Sequence, residues 1–289
     1  MAKKPTTTAI ANWDEELAKA AQVGAALTQS SDGGKFFSTK AGVLAYDDAP
    51  LPGNQMVVIV LAHALENVYY EDKYDAENRA PPTCFAFCKN PEEIDEMEPH
   101  PDVDKEDAFE RQHENCADCP HNQWGSAEKG RGKACGNRRR LALMPAGAFV
   151  PKGKGMGFEM ELYEDPDHFK AADMAYLKTP VMSGKGFDSY VKQVAEQLRR
   201  PLWAVYTRVW LEPDAKSQFR VHFELIEPVD NSLLSIIKER ADKAHEAIDF
   251  PYSPKTNDED EASTAQSQRA SAKLKRQTPA KAPVKRGRK

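Results

Sequence analysis

The chain lacks several things that would place it quickly. No apolar run reaches the length of a membrane span; the longest, Met56-Val-Val-Ile-Val-Leu-Ala62, is strand-sized. The opening Met1-Ala2-Lys3-Lys4-Pro5-Thr6 is followed by no hydrophobic segment, so a secretory leader is not expected. Gly153-Lys154-Gly155-Met156-Gly157 has glycines and a lysine but not the Gly-Lys-Ser/Thr ending that cradles a nucleotide phosphate. Cysteine is scarce and odd in number, five in all, which argues against a disulfide framework and fits free thiols in a reducing cytoplasm. The acidic stretch around Glu96, Glu98, His100 and Asp102 reads as a solvated loop rather than a nuclease-type metal site, and no enzyme is expected.

What is present is a folded protein with polar ends. A length of 289 residues and an apolar fraction of 40% support a real core. The net charge of −5 argues against nucleic acid only until its distribution is read. Residues 262–289 carry nine Lys or Arg and no Asp or Glu, directly after Asp258-Glu259-Asp260-Glu261. Such a segment buries too little to fold, and its cations suit phosphate backbones.

Three cysteines stand in a fixed frame, Cys116-Ala-Asp-Cys119 and then Cys135 after a fifteen-residue connection. Two residues between the first pair let both thiolates face one ion from a tight turn, as in zinc ribbons and knuckles. A fourth ligand is required. Cys84 and Cys88 would share one side of a short strand, so spacing does not separate them, and His100, His113 and His121 stand behind them. We take Cys84, giving one structural zinc per chain closed by Cys84, Cys116, Cys119 and Cys135. Such a site has no open position for hydrolysis. It carries a formal charge of about −2, and Arg131, Lys133, Arg138, Arg139 and Arg140 are more cations than that charge needs. Trp124 adds an aromatic to this rim.

A helix is predicted from Asn12 through Leu17, Ala20 and Ala21, short strands at 36–39 and 43–46, and a central strand at 55–66. Residues 79–137 are too polar for a core of their own and are read as a zinc-organised insertion, after which Leu141-Ala-Leu-Met144 returns to the main sheet. A strand at 158–163, a helix through Phe187, Tyr190, Val194 and Leu198, a hairpin of strands 204–212 and 219–227, and a last helix ending near Ile248 follow. Strands and helices do not alternate regularly, so a mainly β, antiparallel barrel with flanking helices is preferred to a doubly wound sheet. The domain reading is 1–34, an N-terminal helix and flexible start; 35–250, the core; 79–137, the inserted zinc subdomain; and 251–289, a disordered acidic-then-basic tail.

The hairpin has two faces. Val205, Thr207, Val209 and Leu211 pair with Phe219, Val221, Phe223 and Leu225 as core, while Tyr206, Arg208 and Trp210 lie opposite Arg220 and His222. Aromatics interleaved with guanidinium groups on an open sheet suit single-stranded nucleic acid, because every base has a π-face and every linkage a phosphate.

Phe37-Ser-Thr-Lys-Ala-Gly-Val-Leu-Ala-Tyr46, Pro82-Thr-Cys84-Phe-Ala, Met97-Glu-Pro-His100-Pro, Cys116-Ala-Asp-Cys119-Pro-His-Asn-Gln-Trp124-Gly-Ser and Gly130-Arg-Gly-Lys-Ala-Cys135 together resemble a family of tailed-bacteriophage proteins associated with phage replication and single-stranded DNA binding. The resemblance spans about residues 35 to 250. It implies an OB-fold with a zinc subdomain, with Cys84 as the upstream ligand. The basic C-terminus departs from the acidic, partner-recruiting tail of such proteins. The resulting expectation is a non-enzymatic cytoplasmic protein that coats single-stranded DNA in replication or recombination, with replication or recombination proteins as further partners and no membrane. The alternative is a zinc-dependent interaction or transcription-regulating module that contacts a host polymerase.

Overall fold

The computed structural model describes residues 36–46, 49–71, 80–128, 130–153, 155–215 and 218–254. The helix expected near residue 12 and the charged tail beyond residue 254 lie outside the described residues.

Two long strands form the spine. Strand β4 (Gln55–Tyr69) and β6 (Gly136–Pro151) run antiparallel over nearly their whole length, from Val57 opposite Gly147 to Val68 opposite Gly136. Each carries two shorter strands along its outer edge. β9 (Val205–Asp214) pairs with residues 55–58 of β4 and β5 (Cys84–Cys88) with residues 65–69. On β6, β7 (Phe158–Leu162) takes residues 147–151 and β8 (Ala175–Thr179) takes residues 139–143. β10 (Gln218–Pro228) closes the hairpin with β9, which gives the order β10-β9-β4-β6-β7. β1 (Phe37–Ser38), β2 (Ala45–Tyr46) and β3 (Ala49–Pro50) form a separate small meander. The main sheet is antiparallel throughout and curls into half a barrel, so the mainly β, barrel-like expectation holds at this level. Among the described residues no helix is long and apolar enough to cross a membrane.

The unbroken apolar run of β4 has a simple cause, because helices cover both of its faces. Met56, Val58 and Val60 pack with Leu141, Leu143, Val205 and Val209 beneath α2 (Gly184–Leu198), which contributes Phe187, Tyr190 and Val194. Val57, Ile59 and Leu61 pack on the opposite side with Ala142, Met144 and Tyr206 beneath α1 (Pro166–Ala171) and α3 (Leu234–Ala247). Register shifts between Val57 and Val58 and between Val60 and Ala62 bend the ribbon. The second inverts the alternation, so Ala62 and Ala64 join the α3 side.

The cores of the hairpin and of both long helices fall where their apolar spacing puts them: Val205, Val209, Leu211 and Val221 are buried, and Phe187, Tyr190 and Val194 face them. β8 and α1 were not predicted, and the strand expected at 141–144 is the centre of a sixteen-residue one. Nor is segment 79–137 without a core. Phe85, Val103 and Phe109 form one small cluster with Tyr252, and Ala86, Cys88 and Met97 form another. Tyr252 therefore belongs to the packed body, slightly past the boundary read at residue 250.

Gly147 marks the tightest crossing of the sheet. A Cβ there would stand 2.5 Å from the Glu161 carbonyl oxygen and 3.1 Å from the Val57 side chain, both fixed by strand pairing. Gly147→Ala is expected to lower stability by about 1–3 kcal/mol, the usual cost of overpacking, read as a lower urea midpoint with an unchanged slope.

Candidate metal centre and nucleic-acid interface

The far end of the spine, where Tyr69 pairs with Cys84 and Val68 with Gly136, carries the cysteine segment. Cys84 opens β5, Cys116 and Cys119 lie in the connecting loop, and Cys135 immediately precedes β6. All four line one cavity of about 20 Å³, room for a single water-sized or ion-sized occupant. Backbone bonds fix its wall: Cys116 N–H donates to the Met97 carbonyl (2.8 Å), Cys135 N–H to the His121 carbonyl (2.8 Å) and Asn122 N–H to the Cys119 carbonyl (2.9 Å). The Asn122 side chain donates to the Cys116 carbonyl at 2.6 Å. Ser126 Oγ donates to the His121 carbonyl (2.8 Å) and accepts from Ala134 N–H (2.9 Å), which ties the fifteen-residue connection to itself.

Every cysteine is a free thiol. Burial pushes the Cys135 thiol up to about 12, and the neighbouring Cys116, Cys119 and Cys84 add to the rise. Burial also raises Cys116 to about 11, against hydrogen bonding from the Asn67 side chain. Cys84 is raised by burial too, against a backbone bond from Gln112. Cys88 does not line the cavity; its thiol donates to the Asn90 carbonyl at 3.0 Å. His100 is engaged elsewhere, accepting from Asp102 N–H and lying on the Phe85 ring. His113 and His121 do border the cavity, and the His121 ring stacks on Tyr69 at 4.1 Å.

Among the described residues no three His, Cys, Asp or Glu side chains are already gathered as a metal would hold them. The four thiols surround the space without meeting at a point. The donor chemistry nonetheless fits zinc: thiols from three separate stretches of chain, two of them on a Cys-x-x-Cys turn, and no carboxylate lining the cavity.

The expected nucleic-acid residues divide sharply. Arg138, Arg139 and Arg140 point to alternate faces of β6 and have three different fates. Arg140 is fully buried, with Nη2 2.6 Å and Nε 3.0 Å from Glu66 Oε1 and its guanidinium between the rings of Phe87 and Phe250, 4.1 and 4.3 Å away. It is a structural residue and not a ligand contact. Arg139 forms a two-pronged bridge to Asp188 of α2 at 2.9 and 2.7 Å. Arg138 alone makes no ion pair with another described residue, and its Nε is buried without a hydrogen-bond acceptor.

The hairpin face is also corrected. Tyr206 is core, 2% exposed, its hydroxyl donating to the Tyr163 carbonyl at 2.7 Å, because α3 covers the face that was expected to be open. Burial raises its phenol to about 12. Trp210 stacks on His222 at 5.2 Å with Arg208 4.9 Å from its ring centre, but the cations there are matched by acids. Arg208 meets Glu224 at 3.1 Å, Arg220 meets Asp214 at 3.1 Å and His222 lies 3.4 Å from Glu212. Trp210 faces Gln55 at one end of β4 and Cys84 faces Tyr69 at the other, so roughly 45 Å of strand separates hairpin from cysteines.

The cysteine end looks different. Trp124 is 78% exposed, and Lys133 Nζ lies 5.7 Å from its ring centre. Arg131, on the same loop, is exposed. No family model, curated protein or solved structure matches the chain.

These placements separate two arginines that are adjacent but one in the sequence. Arg140→Ala strands a buried carboxylate and is expected to cost about 3–5 kcal/mol in chemical denaturation. Arg138→Ala should leave the unfolding midpoint nearly unchanged. Equal losses for the two would contradict this division.

Proposed function

We propose that this protein binds single-stranded DNA without catalysing a reaction, in phage replication or recombination, with zinc as a structural clamp at its cysteine end. The observation that carries the reading is Trp124, an exposed indole with a lysine over its ring, displayed on a loop anchored by Cys119 and Cys135. Bases stack on such a ring whatever their sequence, and Lys133 and Arg131 supply charge for the phosphates. Zinc held by Cys84, Cys116, Cys119 and Cys135 would bond three separate stretches of chain together and do no chemistry on a substrate. The curled sheet is compatible with an OB-like barrel, the form the sequence resemblance implies. The paired cations of Arg208 and Arg220 favour the cysteine end over the hairpin as the main contact.

The test joins metal analysis to binding. The purified chain is expected to hold one zinc, retained in Cys88→Ser and lost in Cys116→Ser and Cys135→Ser. Single-stranded oligonucleotides should bind more tightly than duplex, with log K falling against log salt at about −0.7 per phosphate contacted. Chelation should weaken binding and loosen the segment between β5 and β6. Equal affinity for duplex, or binding indifferent to salt, would sink the proposal.

A second reading, a protein-interaction module, is favoured by a different surface. Met156, Phe158, Met160 and Val150 are exposed on the β6–β7 hairpin at the edge of the sheet, 71%, 39%, 40% and 38% respectively. Met160→Asp abolishing recovery of a nuclease-resistant partner, with DNA binding unaffected, would support that reading.

A further inference from the structure

Beside the thiol cavity lies a second, wider space of about 320 Å³, at the lower end of ligand-sized pockets, roughly 300–1,000 Å³. Its walls are chemically mixed. Trp124 and Ile94, both exposed, with Leu65 and Met97 supply apolar surface, and Lys133 and Arg139 supply positive charge. Amide side chains of Asn67, Asn122, Gln123 and Asn137 line the rest.

We infer that this groove is a subsite for one unstacked nucleobase, seated against Trp124 with its phosphate at Lys133; the inference rests on the single-strand reading above and places the contact. Three features favour a base over a purely apolar guest. Lys133 has no carboxylate partner among the described residues, and Nζ donates only to the Asn122 side-chain oxygen, 3.1 Å away. Its charge is available to a phosphate, whereas that of Arg139 is met by Asp188. Asp95 is the one carboxylate lining the groove, an acceptor suited to the exocyclic amine of a base rather than to a phosphate. Lys133 Nζ stands over the Trp124 ring, 5.7 Å from its centre, and the indole, 78% exposed, keeps surface for a stacked base.

The groove is also mechanically joined to the thiols. Asn67, Cys116 and Asn122 border both spaces. Asn122 is the hinge of the arrangement: its side-chain oxygen accepts from Lys133 and from Asn137 (3.0 Å), and its amide nitrogen donates to the Cys116 carbonyl. A change in how the cysteines are held therefore reaches the groove wall through one side chain. Whatever effect occupancy of the thiol cavity has on affinity in the groove, occupancy of the groove has in equal measure on the cavity, since coupling between two sites is reciprocal.

The experiment uses the full zinc-loaded chain and a short single-stranded oligonucleotide carrying 5-iodouracil, with photocrosslinks mapped by mass spectrometry and affinity measured by anisotropy. The crosslink is expected on the peptide containing Trp124. Trp124→Ala should weaken binding about 5- to 150-fold, the range for loss of one stacked base, while Trp124→Phe retains most of the affinity and Trp210→Ala leaves the crosslink in place. Because Trp124 is exposed, zinc content and unfolding midpoint should not move in the variants. If the oligonucleotide binds tightly but crosslinks elsewhere and Trp124→Ala binds as the parent does, the subsite is wrong and the single-strand reading survives. If the parent chain binds no single strand, the reading falls and the subsite with it.

Discussion

Glu66 and Arg140 face one another inside the protein, both fully buried, and four parts of the chain depend on that pair. Glu66 stands on β4 and Arg140 on β6, so the bridge crosses the spine diagonally. The remaining guanidinium donors reach the carbonyls of Ile248 and Phe250, which pins the chain as it leaves α3. Tyr252 closes the cluster by donating its hydroxyl to Glu66 Oε1 at 2.9 Å, with its ring against Phe85 of β5. Burial, then the Glu66 carboxylate, drives the Tyr252 phenol well above its ordinary range, so it remains a donor. Such a pair adds little net stability over an apolar substitute, but with one partner gone the other is ruinous. Its effect here is to fix how the sheet, the last helix and the cysteine segment meet. Glu66 Oε2 is left buried without a partner, directly across the register from Arg138, whose Nε is likewise unmatched.

With that junction set, β4 acts as a spacer between two unlike ends. At one end the hairpin pairs Arg208 with Glu224 and Arg220 with Asp214, which leaves little free charge there for phosphates. At the other, residues 84–135 depend on two small apolar clusters, a mesh of backbone and amide hydrogen bonds, and four thiols around a cavity. Clusters of three or four buried side chains are little to hold so long a segment. This is where a metal would add most, since the bonds it makes replace packing the composition does not supply.

Much of this was legible in the sequence. Apolar alternation located the hairpin core at Val205, Val209 and Val221, and 3.6-residue spacing located Phe187, Tyr190 and Val194 on α2, because local periodicity and burial share one cause. The cysteine frame placed Cys116, Cys119 and Cys135 together, and all three line one cavity; spacing did not separate Cys84 from Cys88, and in the fold it is Cys84 that joins them there. What misled was charge and exposure. Arg138-Arg139-Arg140 reads as a single basic patch, yet strand alternation and two distant acids, Glu66 and Asp188, give each arginine a separate fate. No local pattern announces a partner 74 or 49 residues away. Tyr206 failed for a related reason: alternation assigns a residue to a face but does not say whether a helix covers that face.

Trp124 shows how an exposed residue gains meaning from the rigidity of its support. An indole on a loose loop would turn onto the nearest apolar surface, because burying its area is favourable by roughly 25 cal/mol per Å². Here the loop is not loose: Gly125 N–H bonds to the Gly132 carbonyl at 2.9 Å, Ser126 bonds in two directions, and Gln123 donates to the Ala117 carbonyl at 2.7 Å. Gly125 and Gly130 take φ values of 90° and 83°, which side chains with a Cβ adopt only under strain, so the turn geometry itself is specified. This much local bonding is what keeps one large ring in solvent, above a groove and beside a lysine that has no carboxylate partner among the described residues.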